Sequence, residues 1–434
     1  MDLYSEFEWR GLVYDASEGA REALAREKVT AYIGFDPTAS SLHVGSLLQI
    51  LALARLRRLG HSVVALVGGG TGLIGDPSGK TGERSLMDRE HVQANARAVR
   101  LQLEKVLGSA RGQTKLARTP PRTSQGKLRF ADNTRWLAKL TAVQFMRDVG
   151  KHFTVNSMLS KESVKRRVES KDGISYTEFS YLLLQAYDFL ELHRQYKCTF
   201  QLGGSDQWGN ITAGMDLIRR VRNAKAHALV LPLVMTAAGS KFGKTEEGTV
   251  WLDPNLTRPY DFYQFWLNTD DRDAIKYLKF FTFLSQDRIG DFEVAIAREP
   301  EGRHAQRELA QQVTGLVHGE DAVREAESAA SVLFGGDISG LSVDQLLRVF
   351  PSVPSSTMPF VAAGWPIPEL LVSSRVTASK GEATRLIRNG GIYVNGRRVT
   401  DEKQRLRPED AVEGQLFVVR KGKRDNFLIR IVPG

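Results

Sequence analysis

The chain has 434 residues, 42% apolar and 25% charged, a composition typical of globular proteins and a length that favours two or three domains. Its single cysteine, Cys198, excludes an intrachain disulfide and a zinc site built from several cysteines. No apolar run is long enough to span a bilayer, and the acidic first residues have no signal-peptide or transit-peptide pattern. We therefore expect a cytoplasmic protein that has no membrane partner.

The net charge of +10 is unevenly distributed along the chain. Residues 369–434 contain 14 Lys and Arg against 8 Asp and Glu, so more than half of the excess lies in this terminal block. A solvated surface is the ordinary explanation of a mild excess charge. The concentration in one block nevertheless favours nucleic acid as a partner.

The first 253 residues alternate short apolar strands with helical stretches. Strands are predicted at 30–35, 61–67, 153–155, 198–202 and 228–231, and helices at 46–59, 178–192 and 208–221. This alternation predicts an α/β domain in which helices cover both faces of a parallel sheet. Ligands bind such sheets beyond the carboxyl ends of the strands, where glycine-rich turns occur.

The pattern changes after residue 253. Helix follows helix to about residue 333, which predicts an α-helical domain at 254–349. Five prolines fall between residues 350 and 368, and this segment is interpreted as a linker. Short helices and strand pairs beyond it predict a small α+β domain at 369–434.

Two segments have the character of two halves of one phosphate-binding site. Residues 42–46, Leu-His-Val-Gly-Ser, open a helix, so backbone N–H groups and the positive helix end would face an anion. Residues 241–245, Lys-Phe-Gly-Lys-Thr, form a glycine-containing loop with two lysines. They are far apart in sequence, so only the fold can bring them together. A purely structural histidine is the alternative for the first segment.

A glycine-rich stretch at residues 70–75 follows a strand and formally matches the dinucleotide fingerprint. The residues after it are rich in glycine and proline, which disfavours the helix that the fingerprint requires. Residues 79–81, Gly-Lys-Thr, match the end of the P-loop motif. The position where that motif begins requires a glycine and is not a glycine in this chain. We therefore predict a flexible polar loop in which Asp76, Lys80 and Arg84 contact an amine and phosphates.

Polar residues also occur in two other patterns. Tyr181, Gln185 and Asp188 share one face of a predicted helix that is otherwise largely apolar. Buried polar groups are costly unless they are paired, although a solvated stripe is an equal alternative here. Residues 203–210, Gly-Gly-Ser-Asp-Gln-Trp-Gly-Asn, place an acid and an amide at a strand–helix corner. An ordinary helix N-cap is the alternative for that corner.

Together these segments resemble the bacterial tyrosyl-tRNA synthetases, which are class I aminoacyl-tRNA synthetases. The resemblance covers nearly the whole chain and is most specific at residues 32–39, 68–80, 174–188 and 202–214. Residues 43–46 are similar to the first class I signature and residues 241–245 to the second. The resemblance implies a Rossmann-like catalytic domain with a connective insertion at 1–253, an anticodon-side helical domain, and an RNA-binding domain at 369–434.

The activity that the resemblance implies is that of a tyrosine–tRNA ligase. ATP, accompanied by Mg²⁺, would activate L-tyrosine to tyrosyl-adenylate with release of pyrophosphate. The tyrosyl group would then pass to the 3′ end of tRNA(Tyr). The resemblance also implies a homodimer, and no metal bound by protein side chains is expected.

The resemblance implies three sets of site residues. The catalytic set is His43, Lys241, Lys244, Thr38, Lys80 and Arg84. The tyrosine-binding set is Tyr32, Asp76, Tyr181, Gln185, Asp188 and Gln207, in which Tyr32 and Asp188 bind the phenolic hydroxyl. The ATP-binding set is Gly34, Asp36, Thr38, His43, Gly45, Ser46, Gly204, Asp206, Lys241 and Lys244.

One departure and two alternatives accompany this interpretation. Ser46 stands where the family usually has a second histidine, which leaves the strength of ATP binding open. A tryptophanyl-type synthetase of the same fold is one alternative, against which the Tyr32 and Asp188 pair argues. A non-catalytic RNA-binding relative is the other, against which Lys241 and Lys244 argue.

Overall fold

The structure is a computed structural model that describes residues 2–78, 86–110, 125–169, 173–245, 248–333, 338, 340–350, 353–422 and 425–433. The chain divides into two compact units, Met1–Glu320 and Asp321–Gly434. In the part that is described, no helix is both long enough and apolar enough to cross a membrane.

The first unit is built on a six-stranded sheet. Its strands are β1 (Asp15–Ala16), β2 (Thr30–Phe35), β3 (Ser62–Val67), β4 (Leu128–Asp132), β5 (Cys198–Gly204) and β6 (His227–Leu231). The order is β1-β6-β5-β2-β3-β4, and every pair is parallel except β1 with β6. Strand β2 lies between β3 and β5 in the sheet. The strand order therefore reverses between β2 and β5, which makes their carboxyl ends the expected ligand site.

Ten α-helices accompany this sheet in the described part of the first 222 residues. They are α1 (Leu3–Trp9), α2 (Ala20–Arg26), α3 (Val44–Arg58), α4 (Arg89–Ser109), α5 (Thr134–Leu137), α6 (Ala142–Asp148), α7 (Val155–Leu159), α8 (Glu162–Val168), α9 (Tyr176–Tyr196) and α10 (Trp208–Arg222). Helix α3 is apolar on nearly all sides, and its leucines are buried. The N-cap of α9 is Ser175, whose side chain accepts from the Glu178 N–H. Its C-cap is Lys197, which has the left-handed backbone conformation.

Two sequence predictions differ from this part of the structure. The strand predicted at 153–155 is wrong, because the Thr154 side chain accepts from the Ser157 N–H and caps α7. Strand β4, which forms the sheet edge beside β3, was not predicted. The other predicted strands and helices are present, with ends that shift by a few residues.

The rest of the first unit is mainly helical. Strands β7 (Lys244–Thr245) and β8 (Gly248–Thr249) pair with each other, and helices α11 (Pro259–Leu267), α12 (Asp271–Phe281), α13 (Gln286–Arg298) and α14 (His304–His318) follow. Aromatic side chains from α11 and α12, among them Phe262, Trp266 and Phe281, are buried there. The predicted run of helices is confirmed and continues through α15 (Glu320–Leu333).

The second unit contains a five-stranded sheet in the order β12-β11-β14-β15-β9. Its strands are β9 (Ser355–Pro359), β11 (Ile392–Val394), β12 (Arg397–Arg398), β14 (Leu416–Lys421) and β15 (Asp425–Val432). Strands β10 (Trp365–Pro366) and β13 (Arg405–Leu406) form a separate pair, and the helices are α16 (Val343–Val349), α17 (Ile367–Ser373) and α18 (Lys380–Arg388).

The linker prediction for residues 350–368 is wrong over β9. Strand β9 pairs in parallel with β15, from Ser355 with Leu428 to Pro359 with Val432, and so belongs to the sheet. Proline is tolerated because β9 is an edge strand, where a missing N–H costs no ladder hydrogen bond. The linker prediction is also wrong at residues 367 and 368, which form the start of α17.

Candidate active site

A cavity of about 220 Å³ lies at the carboxyl ends of β2 and β5. This is the place where the strand order reverses. The structure brings many of the predicted site residues together around it. Those that line the cavity are Tyr32, Gly34, Asp36, Thr38, Asp76, Tyr181, Gln185, Asp188, Asp206 and Gln207.

Asp188 is a buried carboxyl group on α9 whose side-chain oxygens are both hydrogen-bonded. Its Oδ2 accepts from Asn133 Nδ2 at 2.9 Å, and its Oδ1 accepts from Trp136 Nε1 at 2.7 Å. Burial raises the pKa of Asp188 to about 8 although these two donors act in the opposite direction. The group can therefore exchange its proton near neutral pH.

Tyr32 on β2 presents a buried hydroxyl group to the same cavity. The residue is 1% exposed, and its ring packs on Phe189 with a centroid separation of 5.2 Å. Burial, and after it the charge of Asp188, raises the pKa of Tyr32 well above its usual value, so the hydroxyl keeps its proton. In the described structure its Oη has no hydrogen-bond partner. Tyr32 and Asp188 therefore offer complementary groups to a ligand hydroxyl.

Asp36, directly after β2, is held by two hydroxyl groups. Tyr181 Oη donates to Asp36 Oδ2 at 2.7 Å, and Thr71 Oγ1 donates to Asp36 Oδ1 at 2.7 Å. Thr71 in turn accepts from Asn133 Nδ2 at 2.9 Å. A Cβ on Gly68 would lie 1.9 Å from Asp36 Oδ1, so only glycine permits this approach. The resemblance implies a role for Asp36 in ATP binding, and these bonds hold its carboxylate in the cavity wall.

A second network in the wall is centred on Asp76. Its Oδ2 accepts from Gln207 Nε2 at 2.7 Å. Gln207 Oε1 accepts from Gln185 Nε2 at 3.3 Å, and Gln185 Oε1 accepts from Asn210 Nδ2 at 3.0 Å. Burial, and after it the charge of Asp76, raises the pKa of the neighbouring Asp206. Carboxylates and amide oxygens clustered in this way suit a ligand ammonium group.

The two segments that the sequence suggested as halves of one site lie side by side. The Val44 N–H donates to the Val250 carbonyl at 3.0 Å, and the Val250 N–H donates to the Gly243 carbonyl at 3.0 Å. A Cβ on Gly243 would lie 2.7 Å from Val44 Cγ2. Since Gly243 has a φ of 81°, glycine is favoured there by both space and backbone conformation.

His43 is the N-cap of α3. Its Nδ1 accepts from the Gly45 N–H at 3.0 Å. Burial, and after it the positive charges of Lys241 and Lys244, lowers the pKa of His43, so the ring is neutral at pH 7. With Nδ1 as an acceptor, Nε2 carries the proton and can donate to an anion. Ser46 lies in the first turn of the same helix.

The lysines of the second segment are exposed, whereas Phe242, one of the two residues between them, is buried. Phe242 is 5% exposed and contacts the rings of Phe265, Trp266, Tyr277 and Phe281. The loop is therefore anchored by Phe242 while its lysine side chains stay in solvent.

The remaining predicted site residues lie outside the cavity wall. Gly204 ends β5, and a Cβ there would lie 2.6 Å from Asp206 Oδ1. Of the described residues, the predicted set that does not line the cavity is His43, Gly45, Ser46, Gly204, Lys241 and Lys244. Lys80 and Arg84 fall outside the described residues.

Sequence reasoning missed four polar residues that support the cavity: Thr71, Asn133, Trp136 and Asn210. A signal for Asn133 exists, because it directly follows β4 at the same edge of the sheet as Asp36 and Gly68. Asn133 was not predicted as a site residue because strand β4, which is five residues long, was itself not predicted.

Comparison with known proteins identifies the family. The family model described as tRNA synthetases class I (W and Y) matches residues 24–335, and that described as Tyrosine--tRNA ligase SYY-like C-terminal domain matches residues 345–429. A tyrosine–tRNA ligase of Roseiflexus castenholzii is 51% identical over 433 residues, 99% of each chain. One of Bacillus caldotenax is 49% identical over 435 residues, 99% of this chain and 100% of that protein.

A solved structure agrees with these matches. The C-terminally truncated mitochondrial tyrosyl-tRNA synthetase of Aspergillus nidulans has a TM-score of 0.69 at 30% identity, covering 77% of this chain and 94% of that one. The parallel sheet, its cavity and the first family model together define a class I aminoacyl-tRNA synthetase. Because its relatives match along nearly their whole length, the chain belongs to the tyrosine–tRNA ligase family. The resemblance and the α/β fold class predicted from the sequence are confirmed.

Proposed function

We propose that the chain activates L-tyrosine with ATP and transfers the tyrosyl group to the 3′ end of tRNA(Tyr). The observation that carries this proposal is the buried Tyr32 hydroxyl without a partner beside the buried Asp188 carboxyl group. A phenolic hydroxyl between them would donate to Asp188 and accept from Tyr32. A substrate without that hydroxyl would leave the buried Tyr32 hydroxyl unpaired and would give Asp188 no further donor, which is the basis of strong discrimination.

The ammonium and carboxylate groups of the substrate tyrosine are placed at the network around Asp76. We assign the substrate ammonium group to Asp76, Tyr181 and Gln185, because they supply a carboxylate and neutral acceptors. Gln207 donates to Asp76 and is assigned to the neighbourhood of the substrate carboxylate. Tyrosine would then lie along the cavity with its carboxylate toward the nucleotide.

We assign ATP to the first turn of α3 and the loop of the second signature. The helix end and His43 Nε2 offer donors to phosphate oxygens, and the two loop lysines offer positive charge. The predicted contacts of the phosphates and the nucleoside are Thr38, Lys80, Arg84, Gly34, Gly45, Ser46, Gly204 and Asp206. ATP enters as its magnesium complex, in which phosphate oxygens and water bind the metal. No group of three or more His, Cys, Asp or Glu among the described residues could hold a metal ion.

The chemistry needs alignment more than acid–base catalysis. An oxygen of the tyrosine carboxylate attacks the α-phosphorus of ATP, forms the mixed anhydride and expels pyrophosphate. A hydroxyl of the terminal ribose of tRNA then attacks the tyrosyl carbonyl carbon and displaces AMP. Charge grows on the leaving phosphates during the first step, so mobile lysines can stabilise the transition state more than the ground state.

Tyrosine-dependent exchange of radiolabelled pyrophosphate into ATP tests the first step without any RNA. We expect exchange with tyrosine and none with tryptophan or phenylalanine. Exchange driven by tryptophan would support the tryptophanyl alternative instead. Absence of exchange with every amino acid would support a non-catalytic relative and contradict the ligase proposal.

We propose a homodimer that forms through the insertion between β4 and α9. Large apolar side chains are exposed on α6, α7 and α8: Val143 (75%), Met146 (58%), Val155 (60%), Leu159 (40%) and Val168 (45%). Five exposed large apolar side chains within one insertion favour association with a second copy. We expect Met146→Glu to shift the protein toward monomer in sedimentation equilibrium. Val294→Glu, at a similarly exposed position on α13, is the matched control, and an equal shift for both would contradict this interface.

We further propose that the basic C-terminal region contacts tRNA and that the reaction takes place in the cytoplasm. The charge of residues 369–434 supports RNA contact, and the single cysteine supports a reducing compartment. The boundary at 253 is likewise proposed, because it separates the mixed α/β part from the helices. The predicted boundary at 349 is not proposed again, because the second unit begins at Asp321 and Leu346 of α16 packs with Val418 and Leu428 of the C-terminal sheet.

A further inference from the structure

The cations of the second unit differ in whether a carboxylate is paired with them. Three cations near α17 and α18 form ion pairs, Lys380 with Glu369 at 2.8 Å, Arg388 with Glu402 at 2.7 Å, and Lys421 with Glu382 at 2.7 Å, and Arg407 pairs with Glu409 at 3.8 Å. Among the described residues, Arg397, Arg398 and Arg420 form no ion pair with a carboxylate. Arg420 donates only to the Gly422 carbonyl at 3.0 Å, and Arg398 makes one long bond of 3.5 Å to the Asn389 carbonyl. Their positive charge is therefore available to a ligand.

Two of these arginines form a row with an aromatic residue. Tyr393 on β11 lies opposite Arg420 on β14 and opposite Arg398 on β12. Directly opposed residues point to the same face of a sheet, so Arg398, Tyr393 and Arg420 form one row across three strands, which we call the hairpin row. The guanidinium carbon of Arg420 lies 3.8 Å from the Tyr393 ring centroid. This distance places a planar cation against the aromatic ring.

The hairpin row lies beyond the core that covers its side of the sheet. Val418 precedes Arg420 by two positions on β14 and packs in a cluster with Leu346 and Phe350 of the α16 region. Tyr393 and Arg420 are only half-buried, and Arg398 is exposed. The row therefore remains accessible on one side.

A polar cavity of about 660 Å³ adjoins the row. Arg398 belongs to both the cavity wall and the row, and Arg397, Asn395 and Gln404 also line the cavity. The volume lies within the range of small-ligand sites, and the lining combines these cations and side-chain amides with three carboxylates, Glu409, Asp410 and Glu413.

We propose that the hairpin row binds an unpaired nucleotide of the tRNA, with its base stacked on Arg420 and its phosphates near Arg397 and Arg398. Guanidinium planes and aromatic rings are the surfaces on which proteins stack single-stranded bases. Cations without carboxylate partners attract phosphates. Bases inside an A-form helix are not accessible to such stacking, so the nucleotide must be unpaired. This inference rests on the proposed transfer to tRNA.

Arg420→Lys in the full-length chain separates stacking from charge, since lysine keeps the charge and loses the plane. We expect the dissociation constant for a tRNA(Tyr) transcript, measured by fluorescence anisotropy, to rise about tenfold. The slope of its logarithm against log salt should not change. Arg398→Gln should weaken binding and lower that slope by about one, because a phosphate contact is lost.

Arg388→Lys is the matched control, because Arg388, on α18, is already paired with the carboxylate of Glu402. We expect it to bind tRNA like the unmodified chain, and thermal unfolding should be the same for both Arg-to-Lys variants. Unchanged affinity for Arg420→Lys would overturn the stacking proposal, as would an equal loss for the control. Tyr393→Leu should weaken binding as Arg420→Lys does, and unchanged affinity there would also overturn it.

Pyrophosphate exchange distinguishes this inference from the proposed function, because exchange needs no RNA. All of the variants should exchange normally with tyrosine. Normal exchange with unchanged tRNA affinity would refute the hairpin row alone, whereas absent exchange in the unmodified chain would refute the ligase proposal itself.

Discussion

Tyr32 and Asp188 differ in how completely the protein satisfies them. Both oxygens of Asp188 accept hydrogen bonds from Asn133 and Trp136, whereas the Tyr32 hydroxyl has no partner in the described structure. Buried polar atoms are ordinarily paired, so an unpaired hydroxyl in an otherwise bonded wall indicates where a ligand group fits. The carboxyl group is fixed by the protein, and the hydroxyl is completed by the substrate.

Replacing Tyr32 by Phe should therefore separate binding from stability. The variant loses no intramolecular hydrogen bond, so the free energy of unfolding of the ligand-free protein should fall by less than about 0.5 kcal/mol. The dissociation constant for tyrosine should rise about tenfold, because one bond to the substrate hydroxyl is lost. Equilibrium dialysis and urea unfolding measure the two quantities.

Tyr181→Phe is the contrasting variant for this prediction. The Tyr181 hydroxyl donates to Asp36 at 2.7 Å, and removing it leaves a carboxylate oxygen short of a donor. We expect a loss of about 1–3 kcal/mol in the free energy of unfolding. If Tyr32→Phe destabilises the protein as much as Tyr181→Phe, the Tyr32 hydroxyl has a protein partner and its assignment to the substrate is wrong.

Asp188 should make tyrosine binding depend on pH. Its pKa is raised to about 8, so the carboxyl group is mostly protonated below that value and ionised above it. The ionised form accepts the substrate's phenolic proton better, and tyrosine affinity should rise as the pH increases from 6 toward 8. Equilibrium dialysis in that range should show the rise, and Asp188→Asn should abolish it along with most of the affinity. A pH-independent affinity in the unmodified protein would contradict the ionised role of Asp188.

At the scale of elements, α12 is connected to both signatures. Carbonyls at its C-terminal end accept from arginines of other helices: Arg10 Nη1 donates to Lys279 at 2.9 Å and Arg55 Nη2 to Phe280 at 2.8 Å. Arg55 belongs to α3, the helix that His43 caps. Tyr277 and Phe281 of α12 also contact Phe242, which separates the two loop lysines. Helix α12 therefore contacts both elements that carry the proposed phosphate-binding segments.

Phe242→Ala should impair the rate more than tyrosine binding. Loss of a buried ring removes about 3–5 kcal/mol of packing, and the loop would no longer hold its lysines near His43. We expect the kcat of pyrophosphate exchange to fall at least about tenfold while the KM for tyrosine stays the same. Phe242→Leu should recover part of the rate because it refills the space.

Tyr277→Phe is the control for the anchor. It keeps the ring against Phe242 and removes a hydroxyl that makes a long bond of 3.4 Å to the Met235 carbonyl and a hydrogen bond with the Asp273 side chain, away from the ring contact. Its exchange rate should match that of the unmodified protein. A normal kcat for Phe242→Ala would mean that the loop is positioned without this anchor.

The sequence was a good guide to elements whose pattern is local. Strands β2 and β3 are apolar and β-branched, and they were predicted almost to the residue. Residues 153–155 have the same local pattern, but Thr154 caps a helix, which depends on the turn that follows. Strand β4 has a weak pattern because only Ala131 is buried, so its place in the sheet depends on tertiary contacts. The Asn133 and Trp136 donors to Asp188 were missed with it.

At the scale of the whole molecule, the residues of the candidate site all belong to one unit. Every residue that lines the 220 Å³ cavity lies before residue 320, as do both signatures. Composition could predict a separate basic module but not its limits. The prolines at 354 and 359 indicated a linker, whereas β9, which ends at Pro359, is fixed by pairing with β15, far along the chain. Pairing between distant segments is not visible in a local pattern.

Truncated chains test this division into two units, and we expect two different end points to give different results. A chain that ends at Glu320 retains one whole unit, so we expect it to be monodisperse, to exchange pyrophosphate with tyrosine like the full chain, and to charge tRNA(Tyr) poorly.

A chain that ends at residue 368 keeps β9 and α16 but loses β14 and β15. Leu346 and Phe350 would then lose their contacts with Val418 and Leu428, and the edge of β9 would be unpaired. We expect this longer fragment to aggregate in size-exclusion chromatography at concentrations where the shorter one stays soluble. Loss of exchange in the shorter chain would show that activation requires the second unit, and equal solubility of the two fragments would show that β9 is stable without its sheet.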